Sequence, residues 1–150
     1  MEGFSKYFTF ENMTKSDSYP QTVEKNRKEA MEFIDNGRRL SKLMEKIRLF
    51  LGIPMKETSG FRGKTLTKAG KFSTTSTHTR FEALDSVPIG MTVDEAFDKI
   101  KENVHLFCGL RRVIKEKKGG KEWLHIEARA SCDEPQVFAI MTDEIKYKEV

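Results

Sequence analysis

The residues most able to do chemistry in this sequence are two histidines and two acids in its second half. His78, Asp85 and His125 form a two-histidine, one-carboxylate set, and Glu122 stands three residues before the last histidine. Zinc at catalytic centres typically takes three protein ligands from His, Asp and Glu and leaves a position open for water. Because the chain has only 3 histidines, the choice of ligands is narrow, and this set predicts a hydrolytic zinc site.

Length and composition are typical of a globular protein built as one domain. The chain has 150 residues, of which 37% are apolar and 33% charged, enough to bury the core of a single domain spanning residues 1–150. No apolar run approaches the roughly 20 residues that a membrane helix needs, so we expect no membrane insertion. The first residues lack the basic start and apolar stretch of a signal peptide, which predicts synthesis in the cytoplasm.

Charge and cysteine content bear on two further classes of protein. The net charge of +4 fits attraction to an anionic polymer, but it fits an ordinary basic protein equally well. Basic residues are spread along the chain, so we expect no nucleic-acid partner and keep a nucleic-acid-binding domain only as a third hypothesis. Cys108 and Cys132 form neither a CxxC motif nor a disulfide framework, which predicts two free thiols. A softer metal site that includes Cys132 is the alternative.

The apolar pattern predicts helices first and a strand-rich half later. One helix is expected over about residues 23–33. After an interruption at Asn36-Gly37, a second is expected to run to about Leu51, where Gly52 is a stop signal. A third helix is expected after Thr92 as its N-cap. Strands are expected at Met55–Ser59, Phe81–Val87, Leu110–Ile114 and Trp123–Ala128, with a turn at Lys115–Lys121, an irregular surface loop at 63–77 and one more apolar stretch at Val137–Met141. This order predicts an α+β fold with a small antiparallel sheet on which the N-terminal helices pack.

Three segments of the sequence resemble one known family. They are Ser59-Gly60-Phe61-Arg62, then Ser76-Thr77-His78 followed by Ala83 and Asp85, and Glu122-Trp123-Leu124-His125. Each is weak alone, but together and in this order they are similar to the motifs of the M15 zinc peptidases, the D-alanyl-D-alanine carboxypeptidase-like group that cuts bacterial cell-wall peptides. The similarity covers about residues 7 to 128.

The resemblance implies a fold, a cofactor and a substrate. The fold would be hedgehog/DD-peptidase-like, the cofactor Zn²⁺ and the partner a peptidoglycan peptide. The activity would be that of a D,D-carboxypeptidase or an endopeptidase, with an L-alanyl-D-glutamate endopeptidase as one option. The small single-domain form without a signal peptide suggests a monomeric phage endolysin that acts on the cell wall after release.

The resemblance also implies roles for single residues. His78, Asp85 and His125 would be the metal ligands. Glu122 would be the catalytic acid–base group, and Arg62 a second catalytic group that also binds the substrate carboxylate or offsets charge on the developing oxyanion.

Three more residues are expected to border the substrate or support the ligands. Ser76 would orient a ligand through a hydrogen bond, and Trp123 would floor the cleft because it shares a strand face with His125. Phe81 stands where the family has Gly, and the predicted strand puts it on the same face as Asp85, where it would narrow the cleft. This departure motivates the rival hypothesis of a non-catalytic binding or virion-structural module on the same fold.

Proton transfer by Glu122 depends on the local backbone. Residues three apart in a regular strand face opposite sides. Glu122 can therefore serve beside His125 only if it lies on the bend before the strand, and Gly119-Gly120 would provide such a bend. Glu127 shares a strand face with His125 and is the alternative acid.

Overall fold

A six-stranded sheet forms the centre of the protein. The computed structural model describes residues 1–150. The strands are β1 (Met55–Ser59), β2 (Ala83–Pro88), β3 (Leu110–Lys118), β4 (Lys121–Ala128), β5 (Val137–Met141) and β6 (Lys148–Glu149). They lie in the order β1-β2-β4-β3-β5-β6, and all neighbours run antiparallel except β3 and β5.

Five helices and four short 3₁₀ turns complete the fold. The helices are α1 (Phe10–Thr14), α2 (Val23–Ala30), α3 (Ile34–Leu51), α4 (Lys64–Gly70) and α5 (Val93–Glu102). The 3₁₀ turns are Pro20–Thr22, Met31–Phe33, Thr77–Arg80 and Val104–Leu106. The expected α+β class, with a mostly antiparallel sheet and helices packed on it, is therefore confirmed.

Helix α3 follows the apolar stripe read from the sequence, but it runs through Asn36-Gly37, so the interruption expected there is wrong. Leu40, Leu43, Met44 and Ile47 lie three or four residues apart and are buried, as expected for one face of a helix that packs on a core. The helix ends at Gly52, which has a φ of 70° and donates its N–H to the Arg48 carbonyl at 2.9 Å. None of the helices combines the length and apolar character of a membrane span.

Helix α5 begins at the N-cap that the sequence predicts. The Thr92 hydroxyl accepts a hydrogen bond from the Glu95 N–H at 3.0 Å, which satisfies one of the unpaired donors of the first turn. Val93, Ala96, Phe97 and Ile100 form its buried face. This face packs on β2, β3 and β4.

The β3–β4 hairpin is longer and its turn shorter than predicted. Lys118 pairs directly with Lys121, so the turn is the two residues Gly119 and Gly120, with φ values of 58° and 79°. Two successive positive φ values define the type I′ turn that a right-twisted hairpin favours, and Gly-Gly adopts it without strain. The expectation of a turn over Lys115–Lys121 is wrong, because the charged ends of both strands continue the pairing into solvent.

The segment 63–77 is not wholly irregular. Residues Lys64–Gly70 form α4, of which only Leu66 and Thr67 are buried. Two buried positions in seven residues are too few to produce a helical period in the sequence, so the expectation of a loop is wrong here.

The two cysteines are paired. Cys108 and Cys132 form a disulfide with their Cα atoms 5.0 Å apart, so the expectation of free thiols is wrong and a metal site using Cys132 is removed. Cys108 precedes β3 and Cys132 follows β4, and the two strands are antiparallel neighbours. The hairpin register therefore brings both cysteines to the same end of the sheet.

Alternate side chains of the central strands divide the sheet into two chemically different faces. We call core face the side that carries Leu84, Leu124, Ile126 and Val113, all fully buried and directed toward the helices. We call polar face the opposite side, which carries Asp85 in β2, His125 and Glu127 in β4, and Arg112 and Glu116 in β3.

Candidate metal centre

The structure brings the three expected ligands together on the polar face. Asp85 in β2 pairs directly with His125 in β4, and His78 reaches them from the 3₁₀ turn Thr77–Arg80. One oxygen, Asp85 Oδ1, lies 3.3 Å from His78 Nε2 and 3.0 Å from His125 Nδ1. All three residues are buried, and their ligand atoms lie within 4.8 Å of one another, so the group could hold a metal ion.

In each imidazole we call the nitrogen that faces Asp85 the inner one and the other the outer one. Each outer nitrogen lies within hydrogen-bond distance of an acceptor. His78 Nδ1 lies 2.7 Å from the Gly60 carbonyl oxygen, and His125 Nε2 lies 2.7 Å from Glu127 Oε2. Neither acceptor can donate, so each outer nitrogen carries the hydrogen and each inner nitrogen keeps its lone pair. Two lone pairs and the Asp85 carboxylate then face one another, and this arrangement requires a cation between them, either a proton or a metal ion. Metal-binding histidines typically have such partners on the outer nitrogen.

Glu127 supports the centre and is not free to move protons. It is fully buried, and its Oε2 also accepts hydrogen bonds from Thr77 Oγ1 at 3.1 Å and Arg112 Nη2 at 2.7 Å. Burial alone would raise the pKa of Glu127, but the hydrogen bonds from His125 and Arg112 outweigh it and lower the pKa to about 2. The alternative of Glu127 as acid–base group is wrong, because its working oxygen already has three donors.

Gly60 has to be a glycine because the backbone of α1 approaches it closely. A Cβ there would lie 2.1 Å from the Met13 carbonyl oxygen, and that same carbonyl accepts the Phe61 N–H at 2.8 Å. This contact fixes the Gly60–Phe61 peptide, whose oxygen accepts the hydrogen bond from His78 Nδ1. The Ser-Gly-Phe-Arg segment thus orients a ligand through its backbone.

The charges of the centre are strongly coupled. Burial alone would lower the pKa of His125, but its hydrogen bonds to Asp85 and Glu127 outweigh burial and raise the pKa to about 9. At His78 the balance is the reverse. Burial outweighs the attraction of Asp85 and lowers the pKa of that ring. Burial would raise the pKa of Asp85, but the two histidines hold it well below its usual value. Without a metal ion, the proton therefore resides on His125.

Arg62 lies at the edge of the centre in a fixed orientation. Its Nε donates to Ser59 Oγ at 3.0 Å, and its Nη2 points toward Asp85 Oδ2 at 3.5 Å. The guanidinium stacks on the Phe72 ring, 4.4 Å from the centroid. Burial lowers the pKa of Arg62 and Asp85 opposes that shift, but a guanidinium stays charged at any ordinary pH.

Asn26 is a supporting residue that sequence reasoning missed. Its Nδ2 donates to the carbonyls of Thr14 at 2.8 Å and Phe61 at 2.9 Å, and its Oδ1 accepts the Gly63 N–H at 2.8 Å. Asn26 is fully buried on α2 and thereby holds the backbone on both sides of Arg62. The available signal is one uncharged polar residue within an otherwise strongly charged helix.

Glu122 does not belong to the centre. It lies inside the regular part of β4 and pairs with Lys117, whose Nζ is 3.8 Å from Glu122 Oε1. The strand has no bend before His125, so the odd spacing of three puts Glu122 on the opposite face of the sheet. The expectation of Glu122 as catalytic acid–base group is therefore wrong.

Glu116 is the carboxyl that sequence reasoning missed. It lies opposite Trp123 in the hairpin, two positions along from the Ile114–His125 pair and on the same polar face. Burial raises the pKa of Glu116, and the charge of Asp85 raises it further. A two-residue turn at Gly119-Gly120 would have placed Glu116 opposite Trp123 and on the same face as His125. The longer turn expected from the sequence hid this pairing.

Phe81 does not border the centre. It has a φ of 60° and ends the 3₁₀ turn before β2 begins, which explains why glycine suits this position. Its fully buried ring packs against Phe61 at 5.3 Å, Phe4 at 6.1 Å and Phe10 at 6.4 Å between centroids. The expectation that Phe81 binds substrate and narrows the cleft is wrong, because the ring belongs to the core.

Ser76 contacts the backbone of His78, and Trp123 lies on the same sheet face as His125. Ser76 Oγ accepts the His78 backbone N–H at 3.2 Å and begins the 3₁₀ turn, so it supports His78 through the backbone rather than the ring. Trp123 is half-buried on the polar face and borders, with Glu116, a hollow of about 490 Å³.

Comparisons of the chain with protein-family models, curated proteins and solved structures find no match.

Proposed function

We propose that the protein is a zinc-dependent peptidase that hydrolyses the stem peptides of peptidoglycan, as a D,D-carboxypeptidase or an endopeptidase on a hedgehog/DD-peptidase-like fold. One observation carries the proposal. The inner nitrogens of two histidines converge on a single Asp85 oxygen, while acceptors hold both outer nitrogens. We further propose that the chain is a monomeric endolysin of phage type, made in the cytoplasm and acting on the cell wall after release.

The donor set favours zinc among divalent metals. Two neutral imidazoles and one carboxylate suit Zn²⁺ and match the three-ligand sets of catalytic zinc sites. Mg²⁺ and Ca²⁺ prefer sites made of oxygen ligands. A zinc ion bound there would supply Lewis-acid activation of water and of the peptide carbonyl.

Glu116 is the group we assign to proton transfer. It is the carboxyl on the polar face that forms no hydrogen bond or ion pair with His125 or with an arginine. Burial raises its pKa, and the charge of Asp85 raises it further. A half-buried acid whose pKa moves toward neutrality can accept a proton from water and return it to the leaving amine. Glu116 thus takes the role that the sequence assigned to Glu122.

Arg62 supplies positive charge beside the same space. Its donors to Ser59 and Asp85 hold the guanidinium still, so little reorganisation is needed when negative charge appears next to it. A fixed guanidinium stabilises an oxyanion or binds a substrate carboxylate through two parallel hydrogen bonds.

Purified peptidoglycan provides the direct test. The protein is incubated with it in the presence and absence of a chelator, released fragments are identified by mass spectrometry, and bound metal is measured on the same sample. We expect about one zinc per chain, as a three-ligand site implies, and chelator-sensitive release of stem-peptide fragments. A protein that binds zinc and releases nothing would contradict the peptidase proposal.

Deep burial of the ligands favours a second candidate, a non-catalytic module with a structural metal. The side chains of His78, His125 and Asp85 are only 3%, 9% and 10% exposed, which leaves a narrow approach for substrate. Phe81 gives this candidate no support, because its ring lies in the core. A structural role predicts that zinc raises the thermal midpoint of unfolding while no fragment is released.

A further inference from the structure

A second concave site lies next to the metal centre and shares one residue with it. A cavity of about 750 Å³ opens beside Arg62 between α4 and the segment that joins α2 to α3. This volume falls within the roughly 300–1,000 Å³ of typical small-ligand sites. None of the three metal ligands lines it, so the cavity is a separate space.

The lining of this cavity is predominantly cationic. Five basic side chains border it, against the acids Glu29 and Glu32; the basic residues are Arg62, Lys64, Lys68, Lys71 and Arg80. Glu29 is already engaged, because its carboxylate accepts hydrogen bonds from the backbone N–H and hydroxyl of Thr65 at 3.0 and 2.7 Å. A cavity with this imbalance attracts anions.

The three lysines converge on one side of the cavity without internal partners. Lys64 and Lys68 are four residues apart on α4 and therefore share a helix face, and Lys71 follows directly after the helix. None of them forms an ion pair within the protein, whereas Arg80 is bound to Glu82. Their charges are available to a ligand.

Arg62 offers a directional contact to a ligand in the cavity. Its Nε and Nη2 are directed at Ser59 and Asp85, and Nη1 donates to no protein acceptor. Its backbone N–H donates to the His78 carbonyl at 3.0 Å, and its carbonyl accepts from Thr67 Oγ1 at 3.2 Å. A guanidinium held in this way can bind a carboxylate without further ordering.

Aromatic rings give the same cavity an apolar part. Phe61 is buried, Phe33 is half-buried, and Phe72 is 37% exposed at the rim, where it also supports Arg62. The preferred ligand therefore combines acidic groups with an aliphatic body. A cavity of this size admits a few side chains and does not admit a nucleic-acid duplex.

We infer that this cavity binds the acidic side chains or terminal carboxylate of a peptide, and that Arg62 joins it to the metal centre. As a statement about substrate, the inference rests on the proposed function and deepens it. Substrates would be acidic peptides whose carboxylates lie in the cavity while the bond to be cut lies beyond Arg62. Binding itself does not depend on metal.

The test uses metal-free protein and the dipeptide Glu-Glu, with Gln-Gln as the neutral control. Backbone amide shifts are followed by NMR during titration with each dipeptide. We expect Glu-Glu to shift the amides of Gly63, Thr67 and Thr79 to saturation, and Gln-Gln to shift none of them. Equal responses to both dipeptides, or shifts that lie elsewhere, would overturn the inference.

A matched pair of triple variants tests the lysines. In Lys64→Gln, Lys68→Gln, Lys71→Gln we expect the dissociation constant for Glu-Glu to rise about tenfold, because three partly exposed ammonium groups no longer face the ligand. The control Lys42→Gln, Lys46→Gln, Lys101→Gln removes the same charge from exposed positions outside the cavity and should bind as the parent does. Equal weakening in both triples would mean that net charge alone acts, which overturns a defined site.

Two further arms separate possible ligands. Inorganic phosphate that binds at these amides as tightly as Glu-Glu, or a short DNA duplex that binds in place of it, would overturn recognition of acidic peptides. Because the dipeptide experiment contains no metal, its result is independent of the peptidase assay. Glu-Glu binding in a protein that never releases wall fragments would support the cavity and overturn the proposed function.

Discussion

The core face and the polar face of the sheet use alternate residues of the same strands. On β4, Leu124 and Ile126 are fully buried against the helices, and the intervening His125 and Glu127 are 7% and 0% exposed on the other side. Burial is thus nearly equal on the two faces. What distinguishes them is the kind of contact. Carbon packs on carbon on one face, and charged groups pair with one another on the other, where the only buried atoms without a hydrogen-bond partner are Arg112 Nε, Trp123 Nε1 and Glu127 Oε1.

The polar face depends on mutual pairing in a way that the core face does not. A buried charge is costly unless it is paired and hydrogen-bonded, and Glu127 meets this condition with three donors to one oxygen. Truncation of an apolar side chain on the core face leaves only a cavity. Removal of a partner on the polar face leaves an unmatched charge and an unsupported ligand.

The largest expected effect follows removal of a ligand from the polar face. His78→Ala and Asp85→Ala should each abolish stoichiometric zinc binding and all fragment release, because two donors rarely hold zinc at a catalytic centre. His105→Ala is the matched control, since His105 is exposed in the 3₁₀ turn Val104–Leu106. Metal analysis of the folded variants measures the effect, and full zinc occupancy in both ligand variants would contradict the proposed centre.

A pair of substitutions within the hairpin tests the assignment of proton transfer. Glu116→Gln should lower kcat by about 10²–10⁴-fold, the usual contribution of a general acid–base group, with zinc content unchanged. Glu122→Gln should leave kcat near the parent value, because Glu122 lies on the opposite face beside Lys117. Steady-state kinetics on a purified stem peptide gives both numbers, and the reverse order of effects would restore Glu122 to the site.

The contrast between these two glutamates shows why the site was only partly predictable. Residue type and order identified His78, Asp85 and His125, since few side chains ligate zinc and the chain has few histidines. Glu116 shares a sheet face with His125, because it pairs with Trp123, and Glu122 does not. Which face each residue takes depends on the length of the turn and the start of the strand. Sequence patterns do not locate the end of a turn or the start of a strand to better than about two residues.

The fold shows the same limit. The apolar stripe of α3 and the strand Met55–Ser59 were correctly predicted, whereas Val137–Met141 was recognised only as an apolar stretch. Helix α4 buries too little to leave a regular pattern. The place of Phe81 in the core depends on its positive φ, and the pairing of Cys108 with Cys132 depends on the register at the hairpin ends. Both are properties of tertiary structure.

A substitution on the core face should separate stability from chemistry. Leu124→Ala lies next to His125 and opposite Ser86, directed into the core. It should lower the free energy of unfolding by about 2–5 kcal/mol through reduced burial and a residual cavity. Denaturant titration measures the decrease. Zinc stoichiometry of the folded fraction should stay the same, and a loss of zinc from folded protein would show that the two faces are not independent.

The smallest effect concerns an acid without the pairing that protects Glu127. Burial raises the pKa of Glu57 on β1, although a backbone hydrogen bond partly opposes it, and its Oε1 has no hydrogen-bond partner. A raised folded-state pKa contributes stability below the unfolded value of about 4.3, and that stability is lost as pH rises through the folded-state pKa.

At pH 7 the charged Glu57 carboxylate therefore opposes folding. Glu57→Gln should raise the free energy of unfolding by about 0.5 kcal/mol at pH 7, in the range typical of partly exposed positions, and by less at pH 4, where the parent carboxyl is largely protonated. Urea titrations at the two pH values provide the comparison. A gain of equal size at both would mean that the Glu57 charge is not its cause, and that this half-buried carboxylate tolerates ionisation without the partners that Glu127 has.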